Sequence, residues 1–289
     1  MFFDGVPMAA PDAMYHLKMR ADTDTHPNKV DLGPGVYRNE QGLCHELKAL
    51  REYEVNTGNT NYLNNAARIV LGKDAKILEF NQVASVQTIS GTGAVHLGAM
   101  LLAHSVPRMS KTVYVGIPAW GNYQPMFKLA GFDVRTYRHY DKSTGTVDWD
   151  AVLQAVESAP RGSIFILQAC CHNPTAADLS EEQWQILARE IKERGLFPFF
   201  DIAYQGMGKG LEEDAYSVRH FAEVGLEMLI CQSFSKNLGL YGERVGALHA
   251  VCKSSQAAAA VRDQLRFLIR ATYSASVVDV VTSFCLHDL

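Results

Sequence analysis

The sequence lacks the features that would assign it to a membrane, secreted or nucleic-acid-binding class. No apolar run approaches the roughly 18 residues that a transmembrane helix requires. The N-terminal stretch MFFDGVPMAAPDAMYHL has no basic segment followed by an apolar core, so we expect no secretory signal. It has no arginine before Arg20, which argues against a transit peptide. The net charge of −4 provides no basic face, so we expect no nucleic-acid partner.

The six cysteines show no spacing that is typical of a metal site. They are Cys44, Cys170, Cys171, Cys231, Cys252 and Cys285. Each lies among apolar residues, which favours free thiols in a reducing compartment over disulfides. We therefore expect a cytoplasmic protein without a structural metal.

The order of apolar and amphipathic segments predicts an α/β fold. Residues 1–30 are polar and turn-rich, which is typical of an N-terminal arm, and 289 residues are enough for a sizeable core. From residue 84 onward, short apolar runs alternate with amphipathic stretches, without internal repeats or low-complexity linkers. This alternation predicts a mostly parallel sheet with helices on both faces. The predicted strands are Ser85–Ile89, Thr112–Gly116, Val134–Tyr137, Ser163–Ala169, Leu196–Asp201 and Met228–Gln232.

One helix has start and stop signals in the stretch SEEQWQILAREIKERG. Ser180 is placed to cap its N-terminus and Gln183 to complete a capping box, while Gly195 is placed to end it. Its predicted buried stripe consists of Trp184, Leu187, Ala188 and Ile191.

Polar residues follow several of the predicted strands, where ligands collect in parallel sheets. The stretches are SGTGA (90–94), IPAWGN (117–122), CCHNPT (170–175), DIAY (201–204) and QSFSKN (232–237). Together they offer a loop suited to phosphate, an aromatic plate, an amide, a carboxylate, a phenol and an amine.

The loop Ser90-Gly91-Thr92-Gly93 joins a strand to an apolar helix. Small residues and free backbone amides at a helix N-terminus suit a phosphate group. His96 occupies the position where a dinucleotide fingerprint requires glycine, so that fingerprint fails. A plain tight turn remains the alternative for this loop.

Asp201 ends the apolar run LFPFFD, and a carboxylate at such a depth needs a partner. A helix cap or a buried ion pair is one interpretation. The functional interpretation is a carboxylate that keeps a heteroaromatic nitrogen protonated, as pyridoxal phosphate requires, together with a lysine for its Schiff base. Lys236 is the candidate lysine, although lysines in loops are usually only solvated. Ser233 and Arg244 are candidates to bind the phosphate through charge-assisted hydrogen bonds.

Three further residues suit the ring of the same cofactor. Trp120 is placed to stack on the pyridine ring. Asn173 and Tyr204 are placed to hydrogen-bond its phenolic oxygen, which favours the charged form of that oxygen.

Eight stretches carry a resemblance to the aspartate aminotransferase family, class I of the fold-type I pyridoxal-phosphate enzymes. They are VDLGPGVYRNE (30–40), NYL (61–63), SGTGA, PAWGN, HNPT, DIAYQG, QSFSKNLGLYGERVG and IRATYS (269–274). The resemblance runs over nearly the whole chain. It implies a pyridoxal 5'-phosphate-dependent transaminase that uses an amino acid and a 2-oxo acid. It also implies an arm with a small-domain segment at residues 1–30 and a large cofactor-binding domain at 31–289.

The resemblance assigns roles to three more residues. Tyr62 resembles the tyrosine that reaches the phosphate in the neighbouring subunit, and Arg270 resembles the arginine that crosses the dimer to the substrate's side-chain carboxylate. Gly35 resembles the glycine whose backbone lies beside the substrate. A homodimer is therefore expected. Ile117-Pro118 and Asn173-Pro174 match positions of cis peptides in the family.

The sequence departs from the family pattern at several places. The family's chain continues beyond the position of Leu289, so we expect most of the small domain, with its arginine for the substrate α-carboxylate, to be missing. The loop after IRATYS is expected to be shortened. Tyr123 and Gln168 stand where the family usually has histidines near the aspartate, and Ala176 stands where it usually has glycine. Such changes around a site commonly weaken activity.

Three functional hypotheses follow. The first is transamination of aspartate or glutamate, in which Lys236 moves the substrate Cα proton while Asp201 and Tyr204 support the cofactor ring. The second is transamination of an aromatic or specialised amino acid. The third is a truncated, cofactor-binding pseudo-enzyme, for which the expected loss of the α-carboxylate arginine argues.

Overall fold

The computed structural model describes residues 1–8, 17, 19–21, 23–29, 55–107 and 109–275. The chain divides into two units, one formed by Met1–Met8 with Glu54–Leu289 and one formed by Ala9–Tyr53. In the second unit, the side-chain amine of Lys29 donates a hydrogen bond to the carbonyl of Ala21 at 2.7 Å. The domain boundary expected at residue 30 stays a prediction.

The first unit alternates strands and helices along the chain. Its elements are α1 (Thr60–Leu71), α2 (Lys76–Glu79), β1 (Val83–Ile89), α3 (Ser90–Ser105), β2 (Thr112–Ile117), α4 (Tyr123–Leu129), β3 (Asp133–Arg138), β4 (Tyr140–Asp141), β5 (Thr146–Val147), α5 (Trp149–Ser158), β6 (Ile164–Gln168), α6 (Glu181–Arg194), β7 (Phe197–Ile202), a short 3-10 helix (Glu213–Ala215), α7 (Tyr216–Glu223), β8 (Met228–Ser233), β9 (Val245–Val251) and α8 (Ser255–Thr272). Each of the six predicted strands is present, with ends that differ by at most two residues. Within the described part of the chain, no helix is long and apolar enough to cross a bilayer.

Seven strands form one sheet in the order β1-β9-β8-β7-β6-β2-β3. The pairs from β8 through β7, β6 and β2 to β3 are parallel, whereas β9 is antiparallel to both β1 and β8. β4 and β5 form a separate antiparallel ribbon. The mostly parallel sheet is confirmed. Because Gln168 lies opposite Asp201, and Asp201 opposite Cys231, the carboxyl ends of three central strands meet at one edge.

Helices cover both faces of this sheet, as predicted. One apolar layer includes Leu101 of α3, Phe127 of α4 and Leu265 of α8. The other layer includes Leu187 of α6 and Phe221 of α7. All five side chains are fully buried. A sheet buried on both faces keeps its strand ends, and the polar residues that follow them, in fixed positions.

Helix α6 begins and ends where its sequence predicts. The Ser180 hydroxyl accepts a hydrogen bond from the Gln183 backbone at 3.2 Å, and the Gln183 side chain accepts one from the Ser180 backbone at 2.9 Å. Gly195 ends the helix with φ at 63°, a conformation that glycine adopts without strain. The predicted stripe of Trp184, Leu187, Ala188 and Ile191 is buried.

Strand β9 is the one strand of the seven-stranded sheet that the sequence analysis missed, and the β4–β5 ribbon was not predicted either. All seven residues of VGALHAV are buried, so this strand shows no alternation of exposed and buried positions. A short, mostly apolar run that is interrupted by His249 was the available signal. A Cβ atom on Gly246 would lie 2.4 Å from the carbonyl carbon of Ser90, so only glycine allows β9 to pass this loop.

Candidate active site

A cleft of about 130 Å³ lies at the carboxyl edge of the sheet, beside the N-terminus of α3. Ten of the predicted cofactor residues line it. They are Ser90, Gly91, Thr92, Trp120, Asn173, Asp201, Tyr204, Ser233, Lys236 and Arg244. The fold therefore brings together residues that are up to 154 positions apart in the sequence.

At one end of the cleft, Ser90 and Arg244 hold each other in place. The Ser90 amide donates to the Arg244 carbonyl at 2.8 Å, and an Arg244 guanidinium nitrogen donates to the Ser90 hydroxyl at 2.5 Å. Both residues have positive φ, 61° for Ser90 and 55° for Arg244, which is a strained backbone conformation for residues other than glycine. Such strain persists where the surrounding structure fixes the backbone, as it does in binding loops.

The first turn of α3 presents its backbone to the same end of the cleft. The helix has no side-chain cap, so the N–H groups that follow the bonded Ser90 amide in its first turn are available to an anion. A Cβ atom on Gly91 would lie 2.8 Å from the Ser233 Cβ, so glycine keeps this approach open. Amides, two hydroxyls and a guanidinium thus converge where a phosphate would be bound.

In the same cleft, Asp201 in β7 accepts a hydrogen bond from the Tyr123 hydroxyl at 2.5 Å. Burial raises the pKa of the Asp201 carboxyl to about 6, while the hydrogen bond from Tyr123 and the charge of Lys236 act in the lowering direction. Burial, followed by the charge of Asp201, raises the pKa of Tyr123 well above its ordinary value, so the phenol keeps its proton and donates. Tyr123 occupies one of the two positions where the family usually has histidine.

Lys236 follows the buried strand β8, and its amine lies 5.1 Å from the centre of the Tyr204 ring. The Tyr204 phenol is hydrogen-bonded to the Asn173 side chain, which lowers its pKa, but burial and the charge of Asp201 outweigh this and raise it. The charge of Asp201 therefore acts on the Tyr204 phenol, and the charge of Lys236 acts on the Asp201 carboxyl.

Gln168 fixes the backbone of Asn173 with two hydrogen bonds. Its side-chain nitrogen donates to the Asn173 carbonyl at 3.1 Å, and its oxygen accepts from the Asn173 amide at 2.8 Å. The Asn173-Pro174 and Ile117-Pro118 peptides are both cis, as predicted. Gln168, in the other position where the family usually has histidine, thus holds the segment that carries Asn173.

Three predicted residues are not part of the cleft lining. Tyr62 is buried against Phe234, with ring centres 5.7 Å apart, and its hydroxyl has no hydrogen-bond partner among the described residues. Arg270 is exposed near the end of α8, where it donates to the Ser274 hydroxyl at 2.5 Å. Gly35 lies outside the described residues, so its predicted role stays a prediction.

The cleft includes residues that the sequence analysis did not assign to it. They are Tyr123, Gln168, Cys170, Ala203, Ser235 and Tyr241. Cys170 lies two positions after the last residue of β6, and Ser235 directly precedes Lys236. Their closeness to predicted site residues in the sequence was the available signal. For Tyr123 and Gln168 the signal was the family resemblance, which placed both residues near Asp201; Tyr123 is 78 positions from Asp201 in the sequence.

The family model described as Aminotransferase class I and II matches residues 27–288. This chain belongs to that family. It is 52% identical over 276 residues to the aminotransferase tasG of Hapsidospora irregularis, covering 96% of this chain and 76% of that protein. It is 40% identical over 287 residues to a cytoplasmic aspartate aminotransferase of Oryza sativa subsp. japonica, covering 94% and 70%. The aromatic-amino-acid aminotransferase of Burkholderia pseudomallei, solved covalently bound to pyridoxal phosphate, matches with a TM-score of 0.77 and 37% identity, covering 96% and 72%.

The aminotransferase uses pyridoxal 5'-phosphate, and its cleft fits that cofactor. Cationic and N–H donors lie at one end, beside the uncapped helix α3. The lining also includes a carboxylate, and a lysine whose amine lies over an aromatic ring. This is the donor and acceptor pattern of a phosphorylated pyridine that carries a carbonyl group.

Proposed function

We propose that this aminotransferase transfers an amino group between a dicarboxylic amino acid, aspartate or glutamate, and a 2-oxo acid. The observation that carries the proposal is the exposed guanidinium of Arg270 near the end of α8. It is bonded to a neutral hydroxyl rather than to a carboxylate, so it is available to a substrate carboxylate. The 40% identity to an aspartate aminotransferase over most of the chain supports the same substrate class.

When bound, pyridoxal phosphate supplies an electron-withdrawing ring that stabilises negative charge at the substrate Cα. We assign the proton transfer at that carbon to the amine of Lys236, which takes the proton as a base and returns it as an acid. Asp201 keeps the ring nitrogen protonated, and Tyr123 holds the Asp201 carboxylate in position by its hydrogen bond. Tyr204 and Asn173, which line the same cleft, would donate to the ring oxygen, and Trp120 would stack on the ring.

We assign the phosphate to Ser90, Gly91, Thr92, Ser233 and Arg244. Two of these residues are fixed relative to each other, because Arg244 and Ser90 are joined by two hydrogen bonds. Preorganised donors lose little conformational entropy on binding, which increases affinity. Substrate contacts are assigned to Gly35, Trp120, Asn173 and Arg270.

Replacing Arg270 with methionine tests the substrate class. We expect kcat/KM for aspartate to fall about 10- to 100-fold, since a hydrogen bond to a charged group contributes about 1.5–3 kcal/mol. We expect kcat/KM for phenylalanine to change less than about threefold. The matched control is Arg262→Met on the same helix, another exposed arginine that donates to the Val83 carbonyl. Equal losses for aspartate and phenylalanine would remove the support for a dicarboxylic substrate.

Aromatic amino acids are the second candidate substrate class. The Burkholderia pseudomallei relative is named for aromatic substrates, and several aromatic rings line the cleft of this chain. They are Trp120, Tyr123, Tyr204 and Tyr241. The same comparison of aspartate with phenylalanine in the unchanged enzyme distinguishes the two classes.

We also propose a homodimer in which Tyr62 and Arg270 serve the partner's site. Neither residue lines its own cleft, and the Tyr62 hydroxyl is buried without a partner among the described residues. An unsatisfied buried hydroxyl costs about 1–3 kcal/mol, which a bond to a partner's phosphate would offset. Dimers with twofold symmetry are the commonest assembly of soluble proteins.

Mixing two variants of low activity tests whether Arg270 acts in the site of the partner subunit. We expect Lys236→Ala and Arg270→Ala to be poorly active alone toward aspartate and to regain activity when refolded together. If Arg270 acts in the partner's site, one site of a mixed dimer has both substitutions and the other site has neither. If both residues act within one subunit, every site keeps a defect and no activity returns. Sedimentation of each preparation establishes that dimers are present, and a cofactor-bound monomer would contradict the proposal directly.

The compartment is proposed to be the cytoplasm. The four cysteines within the described residues, Cys170, Cys171, Cys231 and Cys252, are all free thiols. Free thiols suit a reducing compartment. Fractionation of cells that express the protein would check this expectation.

A further inference from the structure

Two adjacent thiols and a carboxylate meet beside the cofactor cleft. The Sγ atoms of Cys170 and Cys171 and a carboxylate oxygen of Asp214 all lie within 4.8 Å of one another. Cys170 also lines the cleft, whereas Cys171 is partly exposed. The transfer reaction makes no use of these three side chains.

The backbone holds the three groups in this arrangement. Cys171 has φ at 49°, a left-handed conformation that is uncommon for cysteine. Asp178 accepts hydrogen bonds from the backbone of Cys171 at 2.6 Å and of His172 at 2.8 Å, which fixes that turn. Asp214 accepts three, from Gly206 and Gly208 at one oxygen and from Lys209 at the other.

The space between the groups is kept open by a glycine. A Cβ atom on Gly208 would lie 2.7 Å from an Asp214 oxygen and 2.9 Å from the Cys171 sulfur. The Asp214 oxygen that faces this space accepts only one backbone hydrogen bond and keeps a lone pair. No side chain therefore separates the sulfur from the carboxylate.

The local charge favours a cation. Neither Asp214 nor Asp178 forms an ion pair with a lysine or arginine in the described part of the chain. Tetrahedral zinc sites have metal–sulfur distances of about 2.3 Å and metal–oxygen distances of about 2.0–2.2 Å, so their ligand atoms lie roughly 3.5–3.8 Å apart. Ligand atoms within 4.8 Å of one another can reach that geometry with small side-chain rotations.

We propose that Cys170, Cys171 and Asp214 form a binding site for a thiophilic divalent cation of the Zn²⁺ or Cd²⁺ class. Binding releases one proton from each thiol to solvent, and the two thiolates and the carboxylate become three ligands. Water takes the fourth position, on the partly exposed side of Cys171. The bound cation links the segment between β6 and Asn173 to the loop Gly206–Asp214.

Titration with Cd²⁺ tests the site in the cofactor-loaded enzyme. The starting protein carries Cys44→Ser and Cys285→Ser, which removes the thiols outside the described residues. We expect one Cd²⁺ per chain, the ultraviolet charge-transfer absorption of thiolate-bound cadmium, and two protons released per cation in weak buffer. Competition between Zn²⁺ and Cd²⁺ for the same absorption shows that both ions use it.

Two variants distinguish this site from other thiols. Cys171→Ser should weaken Cd²⁺ binding at least about tenfold. Even residues that only orient metal ligands change metal affinity about 10- to 100-fold when they are replaced, and Cys171 is proposed as a ligand itself. Cys252→Ala, which removes a buried thiol away from the cluster, should leave binding unchanged. Circular dichroism confirms that both variants are folded. The proposal is overturned if the starting protein binds no Cd²⁺ or if Cys171→Ser binds Cd²⁺ as tightly as the starting protein does. It is also overturned if Cys252→Ala loses as much Cd²⁺ affinity as Cys171→Ser.

Discussion

Replacing Lys236 with alanine should lower the transamination rate by a factor of about 10²–10⁴ or more. This is the range that a positioned acid or base contributes to a rate. The loss follows from geometry, because the Lys236 amine extends from the end of β8 into the cleft that Asp201 and Tyr204 line. Borohydride should fix the cofactor to Lys236 in the unchanged enzyme, as a modified peptide seen by mass spectrometry. It should fix none in the variant.

Two controls make the Lys236 result specific. Lys142→Ala removes an exposed lysine that does not line the cleft and should leave labelling and rate unchanged. Small primary amines added to Lys236→Ala should restore part of the rate, because they supply the missing base. Full activity of Lys236→Ala, or labelling at another lysine, would show that a different residue holds the cofactor.

Replacing Asp201 with asparagine should abolish most activity and yet stabilise the cofactor-free protein at neutral pH. The Asp201 pKa of about 6 in the folded protein lies above its ordinary value of 3.8. The folded chain therefore binds this proton more tightly than the unfolded chain, and stability falls as the pH rises from about 4 past 6. At neutral pH the ionised carboxylate costs on the order of 3 kcal/mol, since the pKa is raised by about two units and one unit corresponds to about 1.4 kcal/mol.

Urea unfolding of the cofactor-free proteins at several pH values measures this effect. We expect the unfolding free energies of Asp201→Asn and the unchanged protein to lie close together near pH 4, to separate as the pH rises from about 4 to 6, and to keep a constant difference at higher pH. Tyr123→Phe provides the matched comparison, because losing the hydrogen bond to Asp201 raises the Asp201 pKa further and extends the range of falling stability to higher pH. Curves that stay parallel over the whole range would mean that the Asp201 carboxyl is not perturbed.

The sequence predicts the residues of the site better than it predicts their contacts. Ser90, Asp201 and Lys236 were identifiable because each lies where a strand ends, and parallel strands place such positions at one edge. The hydrogen bond between Tyr123 and Asp201 was not, because it depends on how α4 packs against the sheet rather than on any local pattern.

Strand β9 and the group formed by Cys170, Cys171 and Asp214 could not be predicted from local sequence patterns either. Strand β9 is buried on both faces, so its pattern does not distinguish it from a buried helix segment. Cys170 and Asp214 are 44 positions apart, and no regular metal-binding spacing connects them. Only the loop Gly206–Asp214, folded back by its hydrogen bonds, brings the carboxylate to the thiols.

The position of β9 determines when the cofactor site can first exist during synthesis of the chain. Strand β1 pairs within the sheet with β9 alone, although more than 150 residues separate the two strands. Until β9 has been made, β1 and the phosphate loop that follows it have no strand to join, and Arg244 is not yet present to meet Ser90. Contacts between such distant segments form late because a long loop must close first. A ribosome-bound chain that stops before residue 244 therefore contains Lys236 but has no complete phosphate site. Stable binding of the cofactor to such a chain would begin only after β9 has paired with β1.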